Sequence, residues 1–279
     1  MHLVVPMAGL GQRFRDEGYA LPKPLIPVAG MPIVVRAVCD LPPCGRMTFL
    51  VHPDHVREYD VGQRLREFFP TANVVTTPGL TAGQACTVRL ARATVEDDEE
   101  VLVAACDNTH VYDAAKFDSL RADPTIDAIL WTYRRDPRVL AKPTAHGWVQ
   151  LVGQVSNLSR KESGQVENLS CDVAAVSCKR PISATPLNDH AISGCFWFRR
   201  AGALFSAIDE LVASNERVNN EFYLDQVPNL YLKSGRRVVA FEVTKYIGWG
   251  TPQDLADYQA WERYFQTQSR LASGTWRAA

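Results

Sequence analysis

Glycines and cations gather near the start of the chain, in Pro6-Met7-Ala8-Gly9-Leu10-Gly11-Gln12-Arg13-Phe14 and in Leu21-Pro22-Lys23-Pro24-Leu25. Small residues directly after a buried strand let backbone N–H groups approach a polyphosphate with no Cβ in the way. Arg13 and Lys23 would add positive charge at the same place. The pattern is neither the dinucleotide fingerprint nor the lysine-containing P-loop, so its weight comes from strand, paired glycines, arginine and PKP segment taken together. An acid is expected to face it. Val101-Leu102-Val103-Ala104-Ala105-Cys106 is strongly apolar and ends at Asp107-Asn108. A carboxylate where a central parallel strand leaves the core lies at the ligand edge of the sheet. Mg²⁺ takes one or two such oxygens together with phosphate oxygens, which makes Asp107 the candidate metal ligand. Neighbouring His110 reads as a loop histidine.

These residues need a scaffold, and the flanking pattern describes one. His2 to Pro6, Met47 to His52, Asn73 to Thr76 and Glu100 to Cys106 read as strands, separated by helix-like segments at Met31 to Leu41, Pro53 to Phe69 and Gly83 to Val95. Such alternation predicts parallel βαβ units and an open sheet covered on both faces. After Ile126 to Arg134 the character changes. Trp148 to Val152, Val173 to Lys179 and Ala191 to Arg199 are strand-like with few helices between them, so an α+β second half continuing the same sheet is expected. Helices follow at Ala201 to Ser214, Glu221 to Lys233 and Pro252 to about Gln266, with a strand at Arg237 to Val243. Two near-identical heptapeptides, GQVSNLS and GQVENLS, read as a surface insertion at 153–170, and the end of the chain reads as a frayed tail.

Composition narrows the function classes. The 279 residues are 46% hydrophobic and 22% charged, enough apolar content for a sizeable core, which excludes disordered and fibrous classes. Lys and Arg number 30 against 31 Asp and Glu, so no overall basic field exists to collect nucleic acid. The first apolar run is too short for a secretory core, and none approaches the ~20 residues needed to span a bilayer. A cytoplasmic location is expected, without membrane insertion; self-association is left open. Seven cysteines with no CxxC pair, mostly inside apolar stretches, fit buried reduced thiols better than disulfides or zinc.

VPMAGLGQRF with PKPLIPVAGMPI, the strand-end Asp107 and the later IGWGTPQDLADYQAW resemble the sugar-phosphate nucleotidyltransferases over nearly the whole chain. VSCKRPIS, DHAISG, NNEFYLDQ and GTPQDL, in that order, resemble the branch found with capsule and surface-polysaccharide genes. The resemblance implies a single Rossmann-like α/β/α domain over 1–267, with a mixed, mostly parallel sheet. A nucleotide-binding half would cover 1–135 and an acceptor-binding half 136–267, leaving 268–279 as the tail. It implies transfer of NMP from an NTP to a phosphorylated small molecule, with Mg²⁺ and release of pyrophosphate. Arg13 would hold the β- and γ-phosphates and Lys23 the α-phosphate and the nucleophile. Ala8, Gly9, Gly11, Gly83 and Gln84 would frame the nucleotide. Lys179, Glu221 at a helix start, and Lys245 would face the acceptor. Cys178 stands where hexose-1-phosphate enzymes carry Glu, and Gly248 where many relatives carry a metal-binding Asp, so Glu221 or Asp225 would take over there, or Mg²⁺ would rest on Asp107, phosphates and water. Trp249 would wall the pocket or pack in the core.

CTP is favoured slightly, for a surface-polysaccharide precursor, with UTP or dTTP and a sugar 1-phosphate as the alternative. A nucleotide-sugar-dependent glycosyltransferase shares the layout, but Asp107-Asn108-Thr109 lacks the second acid those enzymes normally show. A non-catalytic nucleotide-binding regulator is the third alternative.

Overall fold

The runs richest in Val, Ile and Phe pair into one nine-stranded sheet in the computed structural model, which describes residues 1–153 and 171–272. In chain order the strands are β1 (His2–Met7), β2 (Arg46–Val51), β3 (Asn73–Thr76), β4 (Val101–Ala104), β5 (Ala128–Tyr133), β6 (Gly147–Leu151), β7 (Val173–Cys178), β8 (His190–Phe198) and β9 (Val238–Glu242). β3, β2, β1 and β4 run parallel, with β1 between β2 and β4. β8 lies antiparallel to β4 through Cys195–Phe198, and its first residues, His190 and Ala191, pair instead with β6. The other edge of β8 carries β5, antiparallel and interrupted by a bulge, and β9 lies parallel to β5 beyond it. β7 closes the far end against β6.

Alternate residues of each strand point to opposite faces. Val4, Val103, Leu130 and Phe196 pack on one side with Leu204, Phe205 and Ile208 of the helix Ala201–Ser214. Leu3, Val5, Leu102, Ile129 and Trp197 pack on the other with Val34, Val35 and Val38 of the helix Ile33–Cys39. Burial on both faces is why these strands read as continuous apolar runs and not as alternating ones. The architecture is the mixed, mostly parallel, Rossmann-like α/β fold expected.

Several local expectations change. The segment 53–69 forms two helices, Pro53–Tyr59 and Val61–Phe68, because Asp60 adopts a left-handed φ of 49° between them. The helix expected over 83–95 is α-helical only for Gln84–Arg89 and tightens to a 3₁₀ turn at Leu90–Thr94. Glu221 does not start a helix: a 3₁₀ turn at Leu224–Gln226 precedes the helix Val227–Lys233, with Pro228 in its first turn. Asn108–Val111 forms a strand that pairs antiparallel with Lys245–Gly248, so His110 is a buried strand residue and not a loop histidine. The last helix runs Pro252–Ala272, past the expected boundary at 267, and leaves Trp261, Tyr264 and Phe265 exposed. The expected insertion beyond Gly153 and the tail beyond Ala272 lie outside the described residues. Among the described residues no helix is long and apolar enough to cross a membrane.

Candidate active site

β1 and β4 are neighbours, so the loops leaving their carboxyl ends meet at one edge of the sheet. After β1, Gly11 adopts φ 64° and opens the short helix Gln12–Asp16, whose Phe14 is buried. A Cβ on Gly11 would stand 3.0 Å from Cβ of Lys23, so both the left-handed backbone and the approach of the PKP segment require glycine there. Pro22 precedes and Pro24 lies within the 3₁₀ turn Lys23–Leu25, and this stiff segment sends Lys23 back across the glycine loop. Its ammonium pairs with Oδ2 of Asp107, the two side chains being only 17% and 24% exposed. Burial pulls the Lys23 pKa down, but the Asp107 carboxylate pulls the other way, and the net position is above that of an ordinary lysine.

Asp107 is held from behind. Its carbonyl accepts from the Trp249 backbone N–H at 2.7 Å, and the amide of Asn108 donates to the carbonyl of Ser193 at 3.0 Å. Trp249 is fully buried against Phe14, Ile26, Ile33 and Leu255. It is a core residue and not a pocket wall. That small cluster ties the glycine loop, the Gly-Thr-Pro turn and the last helix to one another.

Two adjoining cavities open over this edge. One, of about 240 Å³, is lined by Pro6, Met7, Gly9, Gly11, Lys23, Pro24, Gln84, Ala105, Cys106 and Asp107. The other, of about 230 Å³, is lined by Pro6, Ala8, Gly9, Leu80, Thr81, Gly83, Gln84, Thr87 and Glu221. Pro6, Gly9 and Gln84 border both. Ala8, Gly9, Gly11, Lys23, Gly83, Gln84 and Asp107 thus line two neighbouring cavities that share a wall. Arg13 lines neither cavity; it is exposed, near enough to Lys23 to act on it electrostatically, and has no hydrogen-bond or ion-pair partner among the described residues.

The residues expected on the acceptor side divide. Lys179, itself at a left-handed φ of 58°, donates to the carbonyl of Ala145 at 2.6 Å and lies 4.8 Å from the centre of the Tyr223 ring. Next to it the carboxyl of Asp225 is buried, and burial raises its pKa against the pull of Lys179. Gly147 fits there only because it lacks a side chain: a Cβ would come 2.4 Å from Oδ2 of Asp225. Glu221 lies on the second cavity, beside Gly83 and Gln84. Lys245 lies elsewhere, three positions back along the strand that carries Gly248 and facing a separate hollow with Arg134, Arg135 and Asp136. Sequence reasoning missed Gly147, Tyr223 and Asp254.

Asp254 bears on the metal question. A Cβ built on Gly250 would lie 3.7 Å from Oδ2 of Asp107 and 3.8 Å from Oδ2 of Asp254, so this glycine leaves open the space between two carboxylates. Among the described residues no group of three or more His, Cys, Asp or Glu is arranged to hold a metal. Asp107 on the first cavity, with Asp254 across Gly250 from it, nevertheless matches Mg²⁺, which keeps waters and takes its remaining ligands from phosphate. Glu221 and Asp225 are turned to other neighbours, and Asp254 is the acid placed to join Asp107.

Residues 3–160 match the family model described as MobA-like NTP transferase domain. No curated protein sequence matches. Among solved structures, the nucleoside-diphosphate-sugar pyrophosphorylase from Vibrio cholerae is 20% identical with a TM-score of 0.67, covering 92% of this chain and 98% of its own. The inositol-1-phosphate CTP transferase from T. maritima is 15% identical with a TM-score of 0.64, covering 92% and 93%. A UDP-glucose pyrophosphorylase complexed with UDP-glucose is 15% identical with a TM-score of 0.68, covering 95% and 98%. At these identities the likeness is one of fold. With more than half of its residues matched by the family model, the chain belongs to the MobA-like NTP transferase family and is a nucleotidyltransferase.

Proposed function

We propose that this enzyme transfers the nucleotidyl group of CTP to a phosphorylated small molecule, such as a sugar phosphate, to make an activated precursor for a surface polysaccharide. The observation that carries the reading is the Lys23–Asp107 pair on a cavity that adjoins a second one, of about 230 Å³, across Pro6, Gly9 and Gln84. That arrangement suits a triphosphate lying across the edge of the sheet. The solved pyrophosphorylases and the CTP transferase of like fold support the same class of substrates.

In the proposed reaction an oxygen of the acceptor phosphate attacks the α-phosphorus, a P–O bond forms to the acceptor, and the bond to pyrophosphate breaks. Two anions must be brought together and the charge on the leaving group offset, so cations matter more than a general base. Arg13, exposed and unpartnered, would take the β- and γ-phosphates. Lys23 would exchange the Asp107 carboxylate for the α-phosphate and the attacking oxygen. Backbone N–H groups of the loop Ala8–Gly11 approach the phosphates unhindered. Lys179 beside Tyr223 would hold the acceptor's phosphate. Asp107 and Asp254 would hold Mg²⁺, which when bound neutralises phosphate charge. A cytoplasmic setting, where NTPs are available, fits this chemistry.

The test is a screen for pyrophosphate release with Mg²⁺, setting four NTPs against sugar 1-phosphates, inositol phosphate, glycerol phosphate and phosphocholine. Release that depends on both CTP and one acceptor is the expected result. Release with UTP or dTTP and a sugar 1-phosphate alone would replace CTP, and nucleotide binding with no turnover for any acceptor would overturn the reading.

A further inference from the structure

The geometry points to Glu221 as the residue that selects the nucleotide base, accepting a hydrogen bond from the exocyclic amino group of cytosine. The inference rests on the nucleotidyl-transfer reading above and adds to it the group that distinguishes CTP from UTP.

The local sequence delivers this side chain with little freedom. Asn219 and Asn220 adopt φ of 48° and 65°. Glu221 N–H donates to the carbonyl of Val218 at 2.9 Å, and Val218 N–H to that of Glu221 at 3.0 Å. Two left-handed central residues are what a two-residue reverse turn of the primed type demands, and Asn tolerates that region better than most side chains. Arg217 braces the turn: its guanidinium donates to the carbonyl of Asn220 at 3.2 Å and lies 4.4 Å from the centre of the Phe222 ring.

The next residue fastens the turn to the nucleotide side. Phe222 N–H donates to the carbonyl of Ala82 at 2.8 Å, and Ala85 N–H donates to that of Phe222 at 3.0 Å. The contact is so close that a Cβ on Gly83 would come 2.5 Å from the Phe222 backbone. Gly83, at φ 128°, is thus required by the seating of the segment that carries Glu221. Bonds on both sides fix the Glu221 backbone, and the residue, exposed to solvent, lines the cavity of Ala8, Gly9, Gly83 and Gln84.

Among the described residues, Glu221 is the one ionisable residue lining that cavity. A carboxylate only accepts hydrogen bonds, whereas the amide of Gln84 offers donor and acceptor and does not by itself choose between bases. Cytosine presents an N4 amino group where uracil and thymine present a carbonyl oxygen, and a carboxylate is the side chain suited to cytosine N4. Facing uracil, the same carboxylate would lose its partner and meet a second acceptor. The hydroxyl of Tyr223 interacts with the Glu221 carboxylate, and burial together with that carboxylate pushes the tyrosine's pKa up to about 12.

The experiment measures binding of CTP, UTP and ATP, with Mg²⁺ and no acceptor, to the full chain by isothermal titration calorimetry, in wild type and in Glu221→Gln. An amide at position 221 can turn either its oxygen or its nitrogen to the base. We expect wild type to bind CTP at least tenfold more tightly than UTP. Glu221→Gln should reduce that ratio at least fivefold, chiefly by tightening UTP, with an unchanged circular dichroism spectrum. A ratio that Glu221→Gln leaves unchanged, tighter binding of UTP than of CTP by wild type, or a preference for ATP would overturn the inference. If CTP and UTP both support pyrophosphate release but the ratio ignores Glu221, only the base-selection role fails. If no nucleotide binds, the nucleotidyl-transfer reading fails with it.

Discussion

Acidification should destabilise this protein through its buried histidines before most of its carboxylates are titrated. His110 is packed edge-on against Trp131 at 5.2 Å, neither of its ring nitrogens has a hydrogen-bond partner, and burial holds its pKa down at about 3. His190, whose Nδ1 lies 3.0 Å from the Thr132 hydroxyl, is held at about 4, by burial first and then by Arg134. A group whose folded pKa is depressed supports the fold above its unfolded pKa of 6.5, and that support is lost as pH falls toward the folded value. Between pH 7.5 and 5.5 each imidazole then costs about 1.4 kcal/mol, or about 3 kcal/mol for the two. His2, His55 and His146 are also lowered by burial and add in the same direction, while the raised carboxyls of Asp189 and Asp225 oppose it. Urea unfolding at the two pH values should show the loss directly. His110→Phe, which fills the same aromatic site without a proton to bind, should remove about 1.4 kcal/mol of that loss and gain stability at pH 7.5 by removing two unsatisfied polar atoms. Equal stability of wild type at both pH values, within about 1 kcal/mol, would refute the argument. So would a pH slope that His110→Phe does not change.

Three further outcomes test the site. Lys23→Met and Asp107→Asn should each lower kcat/KM by about 10²- to 10³-fold, as removal of one preorganised charge does, while the circular dichroism spectrum stays native; activity within threefold of wild type would remove either residue from the reaction. Gly250→Ala adds a methyl at ordinary contact distance from the Asp107 and Asp254 oxygens, so its melting temperature should hold while the Mg²⁺ concentration for half-maximal activity rises severalfold; an unchanged Mg²⁺ requirement would take Asp254 out of the metal site. Lys179→Ala should raise the acceptor KM about tenfold and the NTP KM far less, by loss of a hydrogen-bonding point charge, and the reverse split would move Lys179 to the nucleotide side.

The parts of the site legible in the sequence are those whose partners are near in the chain or whose place follows from sheet rules. Gly9, Gly11 and Lys23 belong to one connected loop, and Asp107 ends a strand whose apolar run marks it as central. Helix boundaries were harder. Asp60 breaks a periodic segment by adopting φ 49°, which hydrophobic spacing does not report. Glu221 looked like a helix-start carboxylate because Leu224 to Lys233 is helix-like, yet the preceding Asn219-Asn220 pair carries the signal of a reverse turn that would have separated it. Asp254 had a signal as well. It lies three residues after Thr251, accepts from both the N–H and the hydroxyl of Thr251, at 3.0 and 2.7 Å, and so has the form of a helix N-terminal box. Its nearness to Asp107 is a long-range fact that arises where the Asn108–Val111 and Lys245–Gly248 strands pair. Gly147 and Asp225 likewise meet only through the tertiary fold, and no local pattern announces a glycine chosen for a distant acid.

β8 has a consequence for any attempt to shorten the chain. The family match ends at residue 160, but the partner of β4 on its free side is a strand from residues 190–198. A fragment stopped near 160 would bare the backbone donors and acceptors of Val101–Ala104 in the middle of an apolar sheet, an open template for strand-to-strand aggregation. It would also lose Phe222, the clasp that seats the loop before Gln84. The loops that carry Lys23 and Asp107 are encoded early, but their support is synthesised late, so the first half of the nascent polypeptide must await the second before its sheet is complete.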